Sequence, residues 1–317
     1  MGMAANTVHL KQPNLYPFSQ NILQSKIVIL KSQLLPYLRC MQAGPIGIFD
    51  SGYGGLTVLK EITATLPQYD YVYLGDNARA PYGTRSFETI YHYTLECVEQ
   101  LFDMGCPLII LACNTASARA LRTIQQKNLP LIDPDKRVLG IIRPTAEVVG
   151  NYTQTNHVGV VGTSGTIASE SYVIEIEKMF PQVNVFQEAC PMWVPLVENN
   201  EINNVGADFF VKQHIDNLLN QSSSIDTILL GCTHYPLLID RIRKHTPSNV
   251  KLLSQGKIVA ASLAEYLQRH ANMEQHLTKG GSRKFYTTDN PENFDEHGTL
   301  FYGAPLHSEH IELKTSI

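Results

Sequence analysis

From Pro45 onward, short apolar runs alternate with longer stretches whose apolar residues recur at helical spacing. Strands of a parallel sheet are buried on both faces and read as continuous apolar runs, while the helices that connect them read as amphipathic stretches. The alternation therefore predicts α/β units. Strands are expected at 46–49, 71–74 and 108–112, with a short segment at 138–142 that ends before Pro144. Helices are expected at 54–66, stopped by Pro67, at 87–104 and at 116–126. In the second of these, Ile90, Leu95, Val98, Leu101 and Phe102 fall near helical spacing. The scheme then restarts. Strands are expected at 158–161, 183–186 and 227–230, and helices at 167–179, 205–219 and 237–244. A helix at 258–270 and a strand at 284–287 follow. The first 43 residues are polar, irregular and rich in Gln and Asn, and they read as an appendage with a short helix around 21–35.

Two pairs of stretches point to an internal repeat. "IGIFDSGYGG" (46–55) is matched by "VGVVGTSGT" (158–166), an apolar strand running into a Gly/Ser turn. "LIILACNTAS" (108–117) is matched by "TILLGCTHYP" (227–236), an apolar strand, a small residue, a cysteine, then Asn-Thr or Thr-His. The copies lie 112 and 119 residues apart, in the same order and at nearly the same spacing.

Composition narrows the function classes. The chain has 317 residues, 44% hydrophobic and 17% charged, enough for two ordinary domains or one large one. The net charge is -4 and no run of Lys or Arg stands out, so no nucleic-acid partner is expected. The N-terminal apolar stretches at 27–30 and 34–38 are too short and interrupted for a membrane span, and they lack the pattern of a signal peptide. Six cysteines stand at positions 40, 97, 106, 113, 190 and 232, with no CxxC pair and no zinc spacing. Neither a disulfide scaffold nor a metal site is expected, and a reducing cytoplasm is the expected location.

The repeat singles out two cysteines. Cys113 and Cys232 each follow a strand and precede a helix. Ligands of parallel sheets bind outside the carboxyl ends of the strands, and a helix N-terminus favours a thiolate. If an approximate twofold relates the halves, the thiols face one another across a cleft. Two thiols on opposite sides of one small molecule suit inversion of a stereocentre, where one group removes a proton and the other delivers one. Free cysteines usually only pack, and Cys40, Cys97, Cys106 and Cys190 are read that way.

Other stretches carry weaker signals. In "FDSGYGG" (49–55), Asp50 follows a strand and the glycines permit close backbone approach and aim N–H groups at an anion. The plainer reading is a turn with Asp50 or Ser51 as helix cap. The dinucleotide spacing G-x-G-x-x-G is not met. In "GDNARAPYGTRS" (75–86), Pro81-Tyr82-Gly83 is either a carboxylate-binding turn or only a turn. "CNTASAR" (113–119) has the Cys-x5-Arg spacing of a cysteine phosphatase loop, but it lacks the glycine that a phosphate cradle favours. His234, two residues after Cys232, is placed to tune the thiol or to act on a substrate. Glu198 closes the apolar run "CPMWVPLVENNE" (190–201), whose two prolines suggest a loop or the start of a helix.

Taken together, "GIFDSGYGG", "GD-x5-PYG", "ACNTASA", "ACPMWVPLVE", "GCTHYP" and "FYTTDNPENF" resemble the glutamate racemase family, in order, from about Pro45 to Phe294. The resemblance implies two similar α/β domains with mainly parallel sheets, related by pseudo-twofold symmetry, with the active site in the cleft between them. It implies that the C-terminal segment returns to the first domain, giving 44–142 plus 256–317 as one domain and 143–255 as the other. It implies a cofactor-independent isomerase that interconverts L- and D-glutamate for peptidoglycan, and hence for cell wall and cell shape, and a homodimer is expected. Cys113 and Cys232 are then the two catalytic bases, the first for D-glutamate and the second for L-glutamate. Asp50 assists Cys113, and Glu198 with His234 assists Cys232. Substrate contacts fall on Asp50, Ser51, Tyr82, Gly83, Asn114, Thr115, Thr233 and His234.

Two departures stand out. The 43-residue extension lies outside the resemblance, and "IIRPTAE" (141–147) stands where many family members carry Pro-Gly. The second lies near the expected domain junction, where hinge geometry or regulation can differ. Two further readings are kept. An aspartate racemase also has two cysteines, although the histidine of "GCTHYP" favours glutamate. A non-catalytic role would use the extension to bind a partner.

Overall fold

The computed structural model describes residues 42–314. The short helix expected around 21–35, and Cys40, lie outside the described residues.

The strands predicted from apolar runs form two parallel sheets. In the first part of the chain these are β1 (Ile46–Asp50), β2 (Tyr71–Gly75), β3 (Leu108–Leu111) and β4 (Arg137–Gly140). In the second part they are β5 (His157–Gly162), β6 (Asn184–Ala189), β7 (Thr227–Gly231) and β8 (Lys251–Leu253). Late in the chain come β9 (Arg283–Thr287) and β10 (Ser308–His310). The first sheet runs β10-β9-β2-β1-β3-β4 and the second β6-β5-β7-β8. Every described pairing is parallel. β1, β2, β3 and β7 are buried along their whole length, which explains their unbroken apolar character.

The repeat seen in the sequence holds in three dimensions. Each part places its first strand between its second and its third, with the fourth outermost. Ile46 lies opposite Leu108, and Val158 lies opposite Thr227. These are corresponding residues of the two matched sequence pairs, so the copies agree in register as well as in order. In each sheet the chain leaves the first strand on one side and returns to the third on the other. The crevice this reversal leaves at the strand ends is where α/β sheets bind ligands. Cys113 and Cys232 follow β3 and β7 at these two crevices.

The C-terminal segment returns to the first sheet, where β9 pairs with β2. The chain thus crosses between sheets twice, through the helix Ile142–Val149 after β4 and through the helix Gly256–Arg269 after β8. The latter packs along the helix Gly55–Thr65. Among the described residues no helix is long and apolar enough to cross a membrane.

Some helices differ from the sequence pattern for local reasons. The helix expected at 116–126 is a chain of short pieces, Asn114–Arg119, Leu121–Thr123, a π turn at Ile124–Asn128 and Leu129–Ile132. Pro130 has no N–H to return to Gln126, and the wide turn lies just before it. The helix expected at 167–179 is split into Ser164–Ile167 and Ser171–Met179 by Glu170, whose φ is 54°. The helices Ile142–Val149, Trp193–Glu198 and Pro291–Tyr302 each carry a proline in the first turn, where its missing N–H costs nothing. Reading Pro144 as the end of a segment hid the first of these helices, the prolines of 190–201 were read as a loop or the start of a helix, and the third helix was not expected at all.

Candidate active site

Both cysteine crevices open on one cavity of about 70 Å³. The first sheet contributes Ser51, the segment 81–84, Cys113, Asn114 and Thr115, and the second contributes Thr163, Ser164, Glu198, Cys232, Thr233 and His234, with Pro191, Val194 and Pro195 as apolar wall. Cys113 and Cys232 are 6% and 5% exposed, so each is nearly buried yet reaches the cavity. Cys97 and Cys106 pack in the core of the first sheet instead, and Cys190 is also buried away from the lining.

Cys113 caps the helix Asn114–Arg119. Its Sγ accepts the Ala116 N–H at 3.4 Å and lies 3.5 Å from the Ser51 hydroxyl. Burial, and then the charge of Asp50, push its thiol up to about 12, while Ser51 and Ala116 pull the other way. Asp50 does not line the cavity. It is buried, its Oδ2 accepts the Gly52 N–H at 2.9 Å, and its Oδ1 has no hydrogen-bond partner. Burial raises its carboxyl above the usual range, opposed by the charge of His234. The helix Gly55–Thr65 is capped by Gly54 without a side-chain bond, so neither Asp50 nor Ser51 serves as its cap.

Cys232 has a different neighbour. Its Sγ lies 3.9 Å from His234 Nδ1, and His234 Nε2 lies 3.0 Å from Glu198 Oε1. Burial works against a charged ring, but Cys232 and Glu198 outweigh it and raise His234 to about 10. The ring is then a cation at neutral pH, with both nitrogens donating. Phe301 sets its ring against the imidazole at 5.2 Å between centroids.

Glycine makes this assembly possible at one point. A Cβ on Gly54 would lie 2.2 Å from Thr233 Oγ1 and 2.4 Å from His234 Nδ1. The turn of "FDSGYGG" therefore needs glycine at 54 so that Thr233 and His234 can approach, and its φ of -56° is ordinary. Thr57 adds a bond across the same contact, donating to the Thr233 carbonyl at 2.9 Å.

The remaining predicted contacts divide into groups. Thr115 and Thr163 share a hydroxyl bond at 2.9 Å, and the Gly83 carbonyl accepts the Gly165 N–H at 2.8 Å, so both link the two halves of the wall. Tyr82 presents its ring, because its hydroxyl donates to the buried Asp76 carboxylate. The Asn114 side chain is bonded to Gln255 and Tyr172, which leaves its backbone N–H at the helix start for a ligand. Among the described lining residues there is no Lys or Arg. Among the described residues no group of three or more His, Cys, Asp or Glu could hold a metal ion.

A profile of the Asp/Glu/Hydantoin racemase family matches residues 47–263. The chain belongs to this family. It is 41% identical to the glutamate racemase of Persephonella marina over 84% of this chain and 97% of that protein. A glutamate racemase isoform of Bacillus anthracis superposes with a TM-score of 0.77 at 33% identity, covering 85% of this chain and 98% of that one. The Francisella tularensis glutamate racemase, solved in complex with D-glutamate, gives 0.76 at 32% identity, covering 86% and 99%.

In this racemase-family chain, sequence reasoning passed over Thr163 and Ser164 as cavity residues. Their signal was present, since "VGVVGTSGT" copies the segment that carries Ser51. Phe301 lay beyond it, because its helix follows the matched stretch and meets His234 only through folding.

Proposed function

We propose that this protein is a glutamate racemase that works without a cofactor by transferring protons through Cys113 and Cys232. The observation that carries the proposal is that two nearly buried thiols, at corresponding strand ends of two sheets, line the same cavity. In this reading residues 44–142 with 256–317 and residues 143–255 are the two domains that enclose the substrate.

The surroundings of the two sulfurs support one order of events. Cys113 rests as a neutral thiol, and His234, raised to about 10 and bonded to Glu198, stands beside the sulfur of Cys232, so the reaction is written here with Cys232 as the first base. Cys232 then removes the α-proton of L-glutamate, and its sulfur becomes a thiol. Cys113 gives its proton to the opposite face of the α-carbon, and its sulfur becomes a thiolate. D-glutamate leaves, and the reverse sequence starts from the opposite protonation state. Charge that develops on the substrate carboxylate is met by N–H groups at the start of the helix Asn114–Arg119 and by the hydroxyls of Ser51 and Thr233. The neutral Cys113 also avoids placing a third anion beside Asp50 and the substrate.

Physiologically, we propose a cytoplasmic enzyme, acting as a homodimer, that supplies D-glutamate for peptidoglycan. The chemistry is tested by incubating the protein with L-glutamate, D-glutamate or L-aspartate in D₂O. α-Deuteration and loss of optical rotation with glutamate are expected. Turnover of aspartate alone would change the substrate, and no exchange with any of them would overturn the racemase reading. Light scattering in solution checks the dimer.

A further inference from the structure

The residue after Cys113 belongs to a closed cycle of hydrogen bonds. Asn114 Nδ2 donates to Gln255 Oε1 at 2.7 Å, Gln255 Nε2 donates to the Tyr172 hydroxyl at 2.6 Å, and that hydroxyl donates to Asn114 Oδ1 at 2.6 Å. A branch leaves the ring at Gln255, whose Nε2 also donates to Thr145 Oγ1 at 3.0 Å, and Thr145 donates to the Ile141 carbonyl at 2.8 Å. Asn114, Thr145, Tyr172 and Gln255 are all buried.

The members come from informative places. Thr145 stands on the helix Ile142–Val149, the first crossing between the sheets, inside "IIRPTAE". Gln255 caps the helix Gly256–Arg269, the second crossing. Tyr172 belongs to the second part and Asn114 to the first. Both passages of the chain between the sheets are therefore bonded, through one glutamine, to the first residue of the helix that Cys113 caps. Ser117 of the same short helix makes a further link, accepting the Ile141 N–H at 3.4 Å while it donates to the Leu111 carbonyl at 2.9 Å.

We infer that Gln255 and Tyr172 are positioning residues for Cys113: their ring with Asn114 locks the start of the thiol's helix to both crossings and so fixes the distance between the two thiols. Bonds in a closed buried cycle polarise one another, and the loss of one member leaves its partners unsatisfied. A proton-transfer group tolerates little displacement, so a loosened helix start is felt in the rate. The branch from the ring reaches the departure at 141–147, where Thr145 provides the hydroxyl that receives Gln255. The catalytic consequence rests on the two-thiol reading above, whereas the ring itself does not.

The test compares Tyr172→Phe, which keeps the ring system and removes one hydroxyl, with Gln255→Leu, which removes the hub. Peptide-level hydrogen exchange over 108–120 is expected to speed up in both. We expect kcat/KM for glutamate to fall about tenfold or more, equally in both directions because the enantiomers are equal in free energy, with kcat affected more than KM. The primary isotope effect should rise with α-deuterated D-glutamate, whose deuteron goes to Cys113, and fall with α-deuterated L-glutamate. Unchanged exchange over 108–120 would overturn the ring as a lock. Faster exchange with unchanged kinetics and isotope effects would reduce it to a purely structural network. Were the unaltered protein inactive on glutamate, the functional reading would fall, and the exchange measurement would still decide the ring.

Discussion

Cys113 and Cys232 occupy the same place in two copies of one strand arrangement, yet their surroundings are opposite. The sulfur of Cys113 meets a hydroxyl and a backbone N–H, with the Asp50 carboxyl nearby, and its thiol is pushed up to about 12. The sulfur of Cys232 meets an imidazole raised to about 10. The contrast is made at matched positions. Aligned on the repeat, Thr115 stands where the second copy has His234, and Ser51 where it has Thr163. The duplicated backbone places the two sulfurs, and side chains at neighbouring positions give them different partners. A two-base racemisation needs that asymmetry, because at each moment one group must be an acid and the other a base.

The harshest way to break the comparison is to remove either sulfur. Cys113→Ser and Cys232→Ser should each lower kcat/KM about 10³-fold or more, by the same factor in both directions. The difference between the sides appears in solvent exchange without inversion. Cys113→Ser should still deuterate L-glutamate in D₂O, and Cys232→Ser should still deuterate D-glutamate, read by NMR of the recovered enantiomer. Full racemisation by either variant would end the two-base scheme.

Removing the imidazole should weaken the contrast by making the two sides more alike. His234→Gln is expected to lower kcat/KM about 10²-fold at pH 7. Its pH–rate profile should also change shape, because the imidazole raised to about 10 is gone. A pH–rate profile parallel to that of the unaltered protein would show that His234 does not govern Cys232. Gly54→Ala attacks the same pair from the first sheet, pushing a methyl group into Thr233 and His234. We expect a loss of about tenfold in kcat/KM with an unchanged circular-dichroism spectrum, in line with overpacking costs of about 1–3 kcal/mol. Undiminished turnover would mean that the close approach at Gly54 is not needed.

A buried thiol away from the cavity supplies the control. Cys106 is also pushed up to about 12, first by burial, so a high value alone does not mark a catalytic thiol. Cys106→Ala should leave kcat/KM within about twofold and lower Tm by about 2 °C. The smallest effect concerns stability. His234 is raised from 6.5 to about 10 in the folded protein, so its contribution is complete below about 6.5 and is lost as pH rises through about 10. Between pH 7 and 10, Tm of the unaltered protein should therefore fall more than Tm of His234→Gln. An equal fall in both would contradict a protonated His234.

Much of this arrangement was legible in the chain. The apolar runs at 46–49, 71–74, 158–161 and 227–230 lie in β1, β2, β5 and β7, and the run at 108–112 covers β3 and the residue after it, because strands covered on both faces must be continuously apolar. Cys113 and Cys232 were legible through the repeat, which needs only two matching strand-to-turn segments. Tyr82 was half legible: its turn lines the cavity, but its hydroxyl donates to Asp76 and only the ring faces the cavity. The fourth strand of the second sheet, β8, was missed because it is three residues long and half-exposed. The helix Pro291–Tyr302 was missed although Asn290 caps it and Pro291 opens it, since its polar sequence shows little apolar face.

The sequence by itself determined the parallel α/β plan, its duplication and the two cysteines, because each is written in local pattern and in the repetition of that pattern. Only the tertiary structure decided what surrounds each cysteine. The Asp50 charge near Cys113, the His234–Glu198 pair beside Cys232, the approach across Gly54 and the ring through Gln255 all join residues far apart in the chain. Protonation depends on burial and on charges a few ångströms away, and those distances exist only once the two sheets have closed around one cavity.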